Sequence, residues 1–359
     1  MIWCEARDIV AVSIPFTAGV VVAALLPLEG EAYLWPALFS SALASLSLLL
    51  SCRTGNCHFS VTALYLFLGM MACCSAAISG KPPQFPPETA SDALCGFSSL
   101  IDNAGFSDKR TGALLKALLI GDRSSIGRET VEIFRKSGAS HILALSGLHL
   151  GIIYGIIAKA LSIFGKSRPS MIVRSVIILV VSAYYVIMTG ASPSIIRAFL
   201  FICINEIFSF APGRKRSPLA AFCSALLIQL SVNPAVILSI GFQLSYLAMF
   251  GILTVYPRLR ALYPSGRRSG VMPLLWNSMS LSVSCQLFTA PLVWFHFRTF
   301  PSFFLITNLI SLPLVELLMV CAVFCLCCEA LSCCPELMKN LCDALAQALL
   351  YCLEVISSL

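Results

Sequence analysis

The sequence predicts an all-α fold: a polytopic membrane helix bundle of about 10–11 transmembrane helices with an external amphipathic linker. Three observations carry this. Of 359 residues, 58% are hydrophobic and 11% charged, where soluble proteins carry about 25% charged residues. The mean hydropathy is +0.90. Two long runs, Ser217 to Pro257 and Ser269 to Phe297, hold no Asp, Glu, Lys or Arg, and about 20 apolar residues suffice to span the hydrocarbon.

Taken in order, spans are expected near 9–28, 34–52 and 59–79, which make an N-terminal three-helix membrane region over 1–80. The first run is long enough to cross and few positive charges precede it, so it reads as a membrane helix and not as a cleaved leader. Residues 81–140 follow as an extracytoplasmic linker. It opens on the turn-rich hinge KPPQFPPE, and its core DKRTGALLKALLIGDR is expected as an amphipathic helix resting on the outer surface. The remainder, 141–359, is expected to hold spans near 141–163, 171–189, 193–211, 217–231 (a short one), 235–256, 273–295, 301–328 and 337–357.

Charge placement orients the layout. With the N-terminus in the cytoplasm, the inner loops carry Arg53, then Lys166, Arg168 and Arg174, then Arg214, Lys215 and Arg216, then Arg258, Arg260, Arg267 and Arg268; the short outer loops carry Arg298 alone. Basic residues are retained on the cytoplasmic side. The eight Lys/Arg among seven Asp/Glu of residues 80–140 run against that bias.

The 17 cysteines do not read as a disulfide framework, since most lie inside apolar runs, where they behave as small hydrophobes. The run CLCCEALSCCPE (Cys325 to Glu336) lacks the spacing of paired metal ligands and lies at a helix end. No metal or other cofactor is expected.

One apolar stretch is unusually polar in detail: GASHILALSGLHLGIIYG, Gly138 to Gly155. With ALLIGDR (Ala117 to Arg123) before it, it resembles the signature of the ComEC competence family, the inner-membrane channels through which bacteria take up transforming DNA as a single strand. Three further segments resemble that family in order: GASPSIIRAFLF (Gly190 to Phe201), NPAVILSIGFQLSYLAMFGI (Asn233 to Ile252) and QLFTAPLVWFHFRTFPSFFLITNLISLPLV (Gln286 to Val315). The resemblance covers roughly residues 105–325 and implies a plasma-membrane channel for single-stranded DNA, in contact with membrane lipid. It also implies separate proteins as DNA receptor, nuclease and cytoplasmic motor. Full-length members carry an OB-fold, and many end in a metallo-β-lactamase-like nuclease domain. Here too few residues separate the third span from Leu94 for a five-stranded barrel. The four histidines, His58, His141, His149 and His296, form no His/Asp metal motif, so the chain reads as the channel core without nuclease activity. No GxxxxGK[ST] loop is present, so an ATP-driven motor would be another protein. The sequence leaves open whether the chain acts alone or as a homo-oligomer.

A strand carrying one phosphate per nucleotide needs polar and basic partners in the membrane. The candidates for lining its path are His141, Ser146, His149, Arg197, Gln243, Gln286, Arg298 and Asn308. On an unbroken helix His141 and His149 would stand about 12 Å and roughly 80° apart, and Ser146 and His149 would share a face; the glycines of SGLHLG would equally permit a break. Arg197 sits a turn into an apolar helix, with interfacial snorkelling as its alternative. The amides have helix–helix hydrogen bonding as theirs. Arg298, beside Trp294, Phe295 and Phe297, suits a strand entrance or an aromatic belt with an interfacial anchor. Two rival functions fit less of the sequence. A small-molecule transporter would use broken helices, but no inverted repeat is visible. An intramembrane serine protease would need a histidine from another helix, and Phe residues flank His296.

Overall fold

The computed structural model describes residues 6–26, 28, 30–54, 57–79, 87–144, 146–165, 167–210, 217–263, 270–298, 303–331 and 333–358. Lys166, the basic cluster 214–216, Arg267, Arg268 and the hinge residues 81–86 lie outside them. In chain order the α-helices are α1 Ala6–Ala24, α2 Leu34–Thr54, α3 Cys57–Ser79, α4 Pro87–Asn103, α5 Lys109–Leu119, α6 Arg128–Lys136, α7 Ser140–Leu143, α8 Gly147–Leu161, α9 Arg168–Met188, α10 Pro193–Ser209, α11 Pro218–Val232, α12 Ile240–Thr254, α13 Tyr256–Ala261, α14 Val271–Phe297, α15 Phe304–Ala330 and α16 Glu336–Ser357. Among the described residues there is no strand, and the protein is an all-α polytopic membrane bundle.

Seven helical segments among the described residues are long and apolar enough to cross a membrane, those of α3, α8, α9, α12 with α13, α14, α15 and α16. Shorter apolar helices are Asp8–Ala24, Leu34–Leu49 and Pro218–Val232. Together with α10 they correspond one for one to the runs expected from the sequence. The run expected at 141–163 is broken, however, and its long helix starts at Gly147; the run expected at 235–256 opens with a 3₁₀ turn, Pro234–Leu238, before α12.

The chain divides into two compact units, Met1–Gln84 with Leu200–Tyr246, and Phe85–Phe199 with Leu247–Leu359. In the first, α1 and α3 approach so closely that a Cβ on Gly19 would run into the Leu66 carbonyl and one on Gly69 into that of Phe16. Small residues let helix backbones meet where lipid supplies no hydrophobic drive. Tyr246 donates to Gln229 Oε1 at 3.0 Å, with the rings of Phe222 and Phe242 at 5.5 and 4.5 Å.

In the second unit α9, α14 and α15 each bury hydroxyl-bearing residues and turn apolar ones outward. In α9 the buried face carries Ser175, Ile178, Ser182 and Tyr185, while Val173, Val176, Val180 and Tyr184 point outward. In α14 the buried residues are Ser280, Ser282 and Ser284, and Leu274, Leu281 and Leu287 are exposed. α15 buries Thr307 and Ser311 and exposes Ile306, Ile310 and Leu317. In lipid the polar face must turn inward, because unpaired polar groups are costly in hydrocarbon. A Cβ on Gly251 would run into the Ser284 carbonyl, so α12 and α14 also meet at backbone distance. Two long helices carry internal prolines, Pro291 in α14 and Pro313 in α15.

The amphipathic segment does not rest on the surface. In α5, Thr111, Leu114, Leu115, Lys116, Ala117, Leu118 and Leu119 are buried, and the helix packs on α4, α15 and α16. Six consecutive buried positions, Leu114 to Leu119, need cover on more than one side, which a flat interface would not give. Lys116, charged and buried, is matched by Asp102 of α4 at 2.7 Å.

Candidate functional site

The polar stretch folds as a break. α6 ends in a Schellman motif: Gly138, at φ +80°, donates to Arg135 and Ala139 donates to Phe134. The four residues of α7 follow, and Ala144 turns extended. Ser146 then caps α8, its Oγ accepting from the Leu148 amide at 3.2 Å. The cap is reciprocal, because the Ser146 amide donates to Nδ1 of His149 at 3.3 Å. This is a capping box with histidine in the position usually held by Glu or Gln. An imidazole that accepts at Nδ1 is neutral and carries its proton on Nε2, and His149 is 1% exposed.

The break changes how the sequence candidates relate. His141 lies on α7, exposed, and no single helix axis joins it to His149, so the spacing of an unbroken helix does not apply. Ser146 stands outside the helix and shares a cap with His149 in place of a helix face. Beside them a Cβ on Gly147 would meet Ala198 Cβ at 3.1 Å and Arg197 Nη2 and the Ser194 carbonyl at 3.6 Å each. The start of α8 therefore lies directly on the first turns of α10, with the Arg197 guanidinium at the contact. The lead into α10 repeats the lead into α7: Thr189–Ser192 (TGAS) mirrors Ser137–Ser140 (SGAS). Gly190 donates to Ile187 and Ala191 to Val186, a second Schellman motif. Here Ala191 itself sits at φ +50°, a conformation that costs a residue with a Cβ about 1–2 kcal/mol.

The remaining candidates divide. Gln286 and Asn308 are half-buried in the same unit; Gln286 Nε2 and Asn308 Oδ1 are buried with no hydrogen-bond partner among the described residues. Gln243 belongs to the other unit, and its Nε2 is committed to the Ile237 carbonyl at 2.9 Å, closing the 3₁₀ turn before α12. Arg298 is exposed at the C-terminus of α14 with φ +53°, next to the exposed Trp294, Phe295 and Phe297.

Sequence reasoning passed over three side chains that fix the segment around the break. Asp343 of α16 accepts from the Ser107 amide at 2.9 Å. Tyr185 of α9 donates to the Leu119 carbonyl at 2.8 Å. Thr307 of α15 donates to the Ser137 carbonyl at 2.6 Å. Each satisfies a backbone group, in the α4–α5 loop or at the end of α5 or α6, and for Tyr185 and Thr307 the signal was a polar group within an apolar helix. Glu316, exposed at the middle of α15, carries the same signal; an ionisable group within a span is a functional candidate. Among the described residues no group of three or more His, Cys, Asp or Glu is arranged to hold a metal ion.

A model of the family described as competence protein matches residues 118–359, from the end of α5 onward. The chain belongs to the competence protein family. Its break, the α10 contact and both buried amides all fall within the matched residues. The chain is 29% identical over 213 residues to ComE operon protein 3 of Bacillus subtilis (strain 168), covering 59% of this chain and 25% of that protein. It is 26% identical over 217 residues to Recombination protein 2 of Haemophilus influenzae, with 58% and 27% covered. It is also 26% identical over 215 residues to the uncharacterized protein YcaI of Escherichia coli (strain K12), with 58% and 28% covered. The chain thus spans about a quarter of the length of the curated relatives it matches. No solved structure matches.

Proposed function

We propose that this protein is a channel that passes single-stranded transforming DNA across the bacterial plasma membrane. Its N-terminus lies in the cytoplasm, and separate proteins act as receptor, nuclease and motor. The reading is supported, in a competence-family bundle, by the Arg197 guanidinium at the α7–α8 break and by two buried amide atoms elsewhere in the same unit. The Arg197 guanidinium lies on Gly147, and the buried amide atoms Gln286 Nε2 and Asn308 Oδ1 have no hydrogen-bond partner among the described residues. Such atoms require water or a passing polar ligand. A broken helix within the membrane is tolerated where it lines a cavity or is buried in protein. The work of the channel is binding and desolvation, with the cation offsetting phosphate charge and amides replacing water, and it requires no covalent step.

The test is uptake of labelled DNA in a deletion strain complemented with the wild type, Arg197→Leu or Gln286→Leu. Protected intracellular DNA and membrane abundance are measured in the same cells. Arg197→Leu should abolish internalisation at wild-type abundance, with surface-bound DNA unchanged, and Gln286→Leu should reduce it. Normal uptake in both variants, or loss of uptake in proportion to loss of protein, would remove the support for a path through this region.

A further inference from the structure

The cysteine run at the junction of α15 and α16 has a geometry that its sequence spacing did not suggest. Cys325, in the second-last turn of α15, is fully buried. Cys334, just before α16, is partly exposed. Their sulfurs stand 3.3 Å apart. The chain between them doubles back through Cys333, whose amide donates to the Cys328 carbonyl at 2.9 Å. An ion pair, Lys339 to Glu329 at 3.1 Å, clamps the same junction. The two thiols are therefore held together by backbone and charge contacts that do not depend on sulfur.

We propose that Cys325 and Cys334 form a dithiol modification site that is converted to an intramolecular disulfide by an external disulfide, either glutathione disulfide or a thiol–disulfide oxidoreductase. A covalent S–S bond is about 2.05 Å, so the sulfurs need close by only about 1.2 Å. Cys334, the accessible member, loses its proton to solvent. Its thiolate attacks one sulfur of the external disulfide, forming a mixed disulfide and expelling one thiolate, which is protonated. Cys325 then loses its proton and attacks Cys334 Sγ, expelling the second thiolate. The two protein thiols give up two electrons and two protons, and the external disulfide becomes two thiols. The product ties the end of α15 to the start of α16, the helix that also holds Ser107 through Asp343. The proposal does not rest on the channel reading, and its test does not use DNA.

The full-length protein in detergent is incubated with glutathione disulfide. Free thiols are then blocked and the chain is digested and mapped by mass spectrometry. The expected result is a peptide pair joined through Cys325 and Cys334, lighter by two hydrogens and absent after dithiothreitol. In Cys325→Ala, Cys334 should instead accumulate as a stable glutathione adduct, because the resolving thiol is gone. In Cys334→Ala the disulfide should be lost and no glutathione adduct should form on the buried Cys325. The proposal is overturned if both thiols of the wild type stay fully alkylatable under oxidant. It is equally overturned if the bond maps to Cys328 and Cys333, or if the wild type retains the same glutathione adduct as Cys325→Ala. The wild-type map decides the matter without either variant.

Discussion

His149 offers the sharpest separation of scaffold from path. Its Nδ1 accepts from the Ser146 amide, so His149→Leu removes a hydrogen-bond acceptor as well as an imidazole. A backbone donor left unsatisfied out of water costs about 1–3 kcal/mol, a large share of a net stability of about 5–15 kcal/mol. His149→Gln supplies an acceptor in the position where glutamine normally completes a capping box. It should regain most of that loss, to within about 0.5 kcal/mol. Ser146→Ala, which removes the Oγ acceptor of the cap, should cost about 1 kcal/mol. Thermal unfolding of the three variants in matched detergent would rank them as wild type, near His149→Gln, above Ser146→Ala, above His149→Leu. Uptake in the same variants then asks a second question. If the Nε2–H of the neutral ring meets the strand, His149→Gln restores stability and abundance without restoring internalisation. Equal destabilisation by Gln and Leu would refute the cap as the reason for a histidine at this position.

Three further outcomes follow from other contacts. Gly69→Ala places a Cβ against the Phe16 carbonyl and should destabilise by about 1–3 kcal/mol; combined with Gly19→Ala it should cost less than the sum, because both push the same two helices apart, which a double-mutant cycle by thermal unfolding would measure. Tyr185→Phe and Thr307→Val leave the buried Leu119 and Ser137 carbonyls without their side-chain donors and should each cost about 1–3 kcal/mol, with protease cleavage within residues 104–139 accelerated while cleavage elsewhere is unchanged. Asp122 is held below its ordinary carboxylate value by hydrogen bonds from Ser124; its contribution is therefore present above the unfolded-state value and lost as pH falls through the lower folded value, so the stability gap between wild type and Asp122→Asn, measured by thermal unfolding, should narrow from neutral pH toward pH of about 3.

The spanning helices were legible because hydropathy reads them directly: a run such as Ser269–Phe297 has no soluble alternative. The site was less so. Ser146 and His149 were visible as polar residues, but their relation depends on where the helix breaks, and the glycines of SGLHLG permitted a break without placing it. The capping box escaped because the usual pattern expects Glu or Gln at its third position. Thr307 was overlooked beside the more conspicuous Asn308, since a single hydroxyl in a span ordinarily bonds back to its own helix, as Ser311 does to Thr307. The burial of α5 was hidden by its partly exposed charged ends, DKR and GDR, and by Lys116 between them, whose charge is matched by Asp102.

The prolines inside α14 and α15 bear on how such a bundle deforms. Proline has no amide hydrogen, so Pro291 leaves the Leu287 carbonyl, and Pro313 the Leu309 carbonyl, without the usual donor one turn ahead. At those two levels each helix is one backbone hydrogen bond short, a weak point about which its two halves can pivot like rods. Glu316 lies one turn beyond the second pivot. A swing of the C-terminal rod of α15 would carry this carboxylate sideways through the membrane, and with it the thiol-bearing end of the helix, while Thr307 on the N-terminal rod kept its grip on the loop at Ser137.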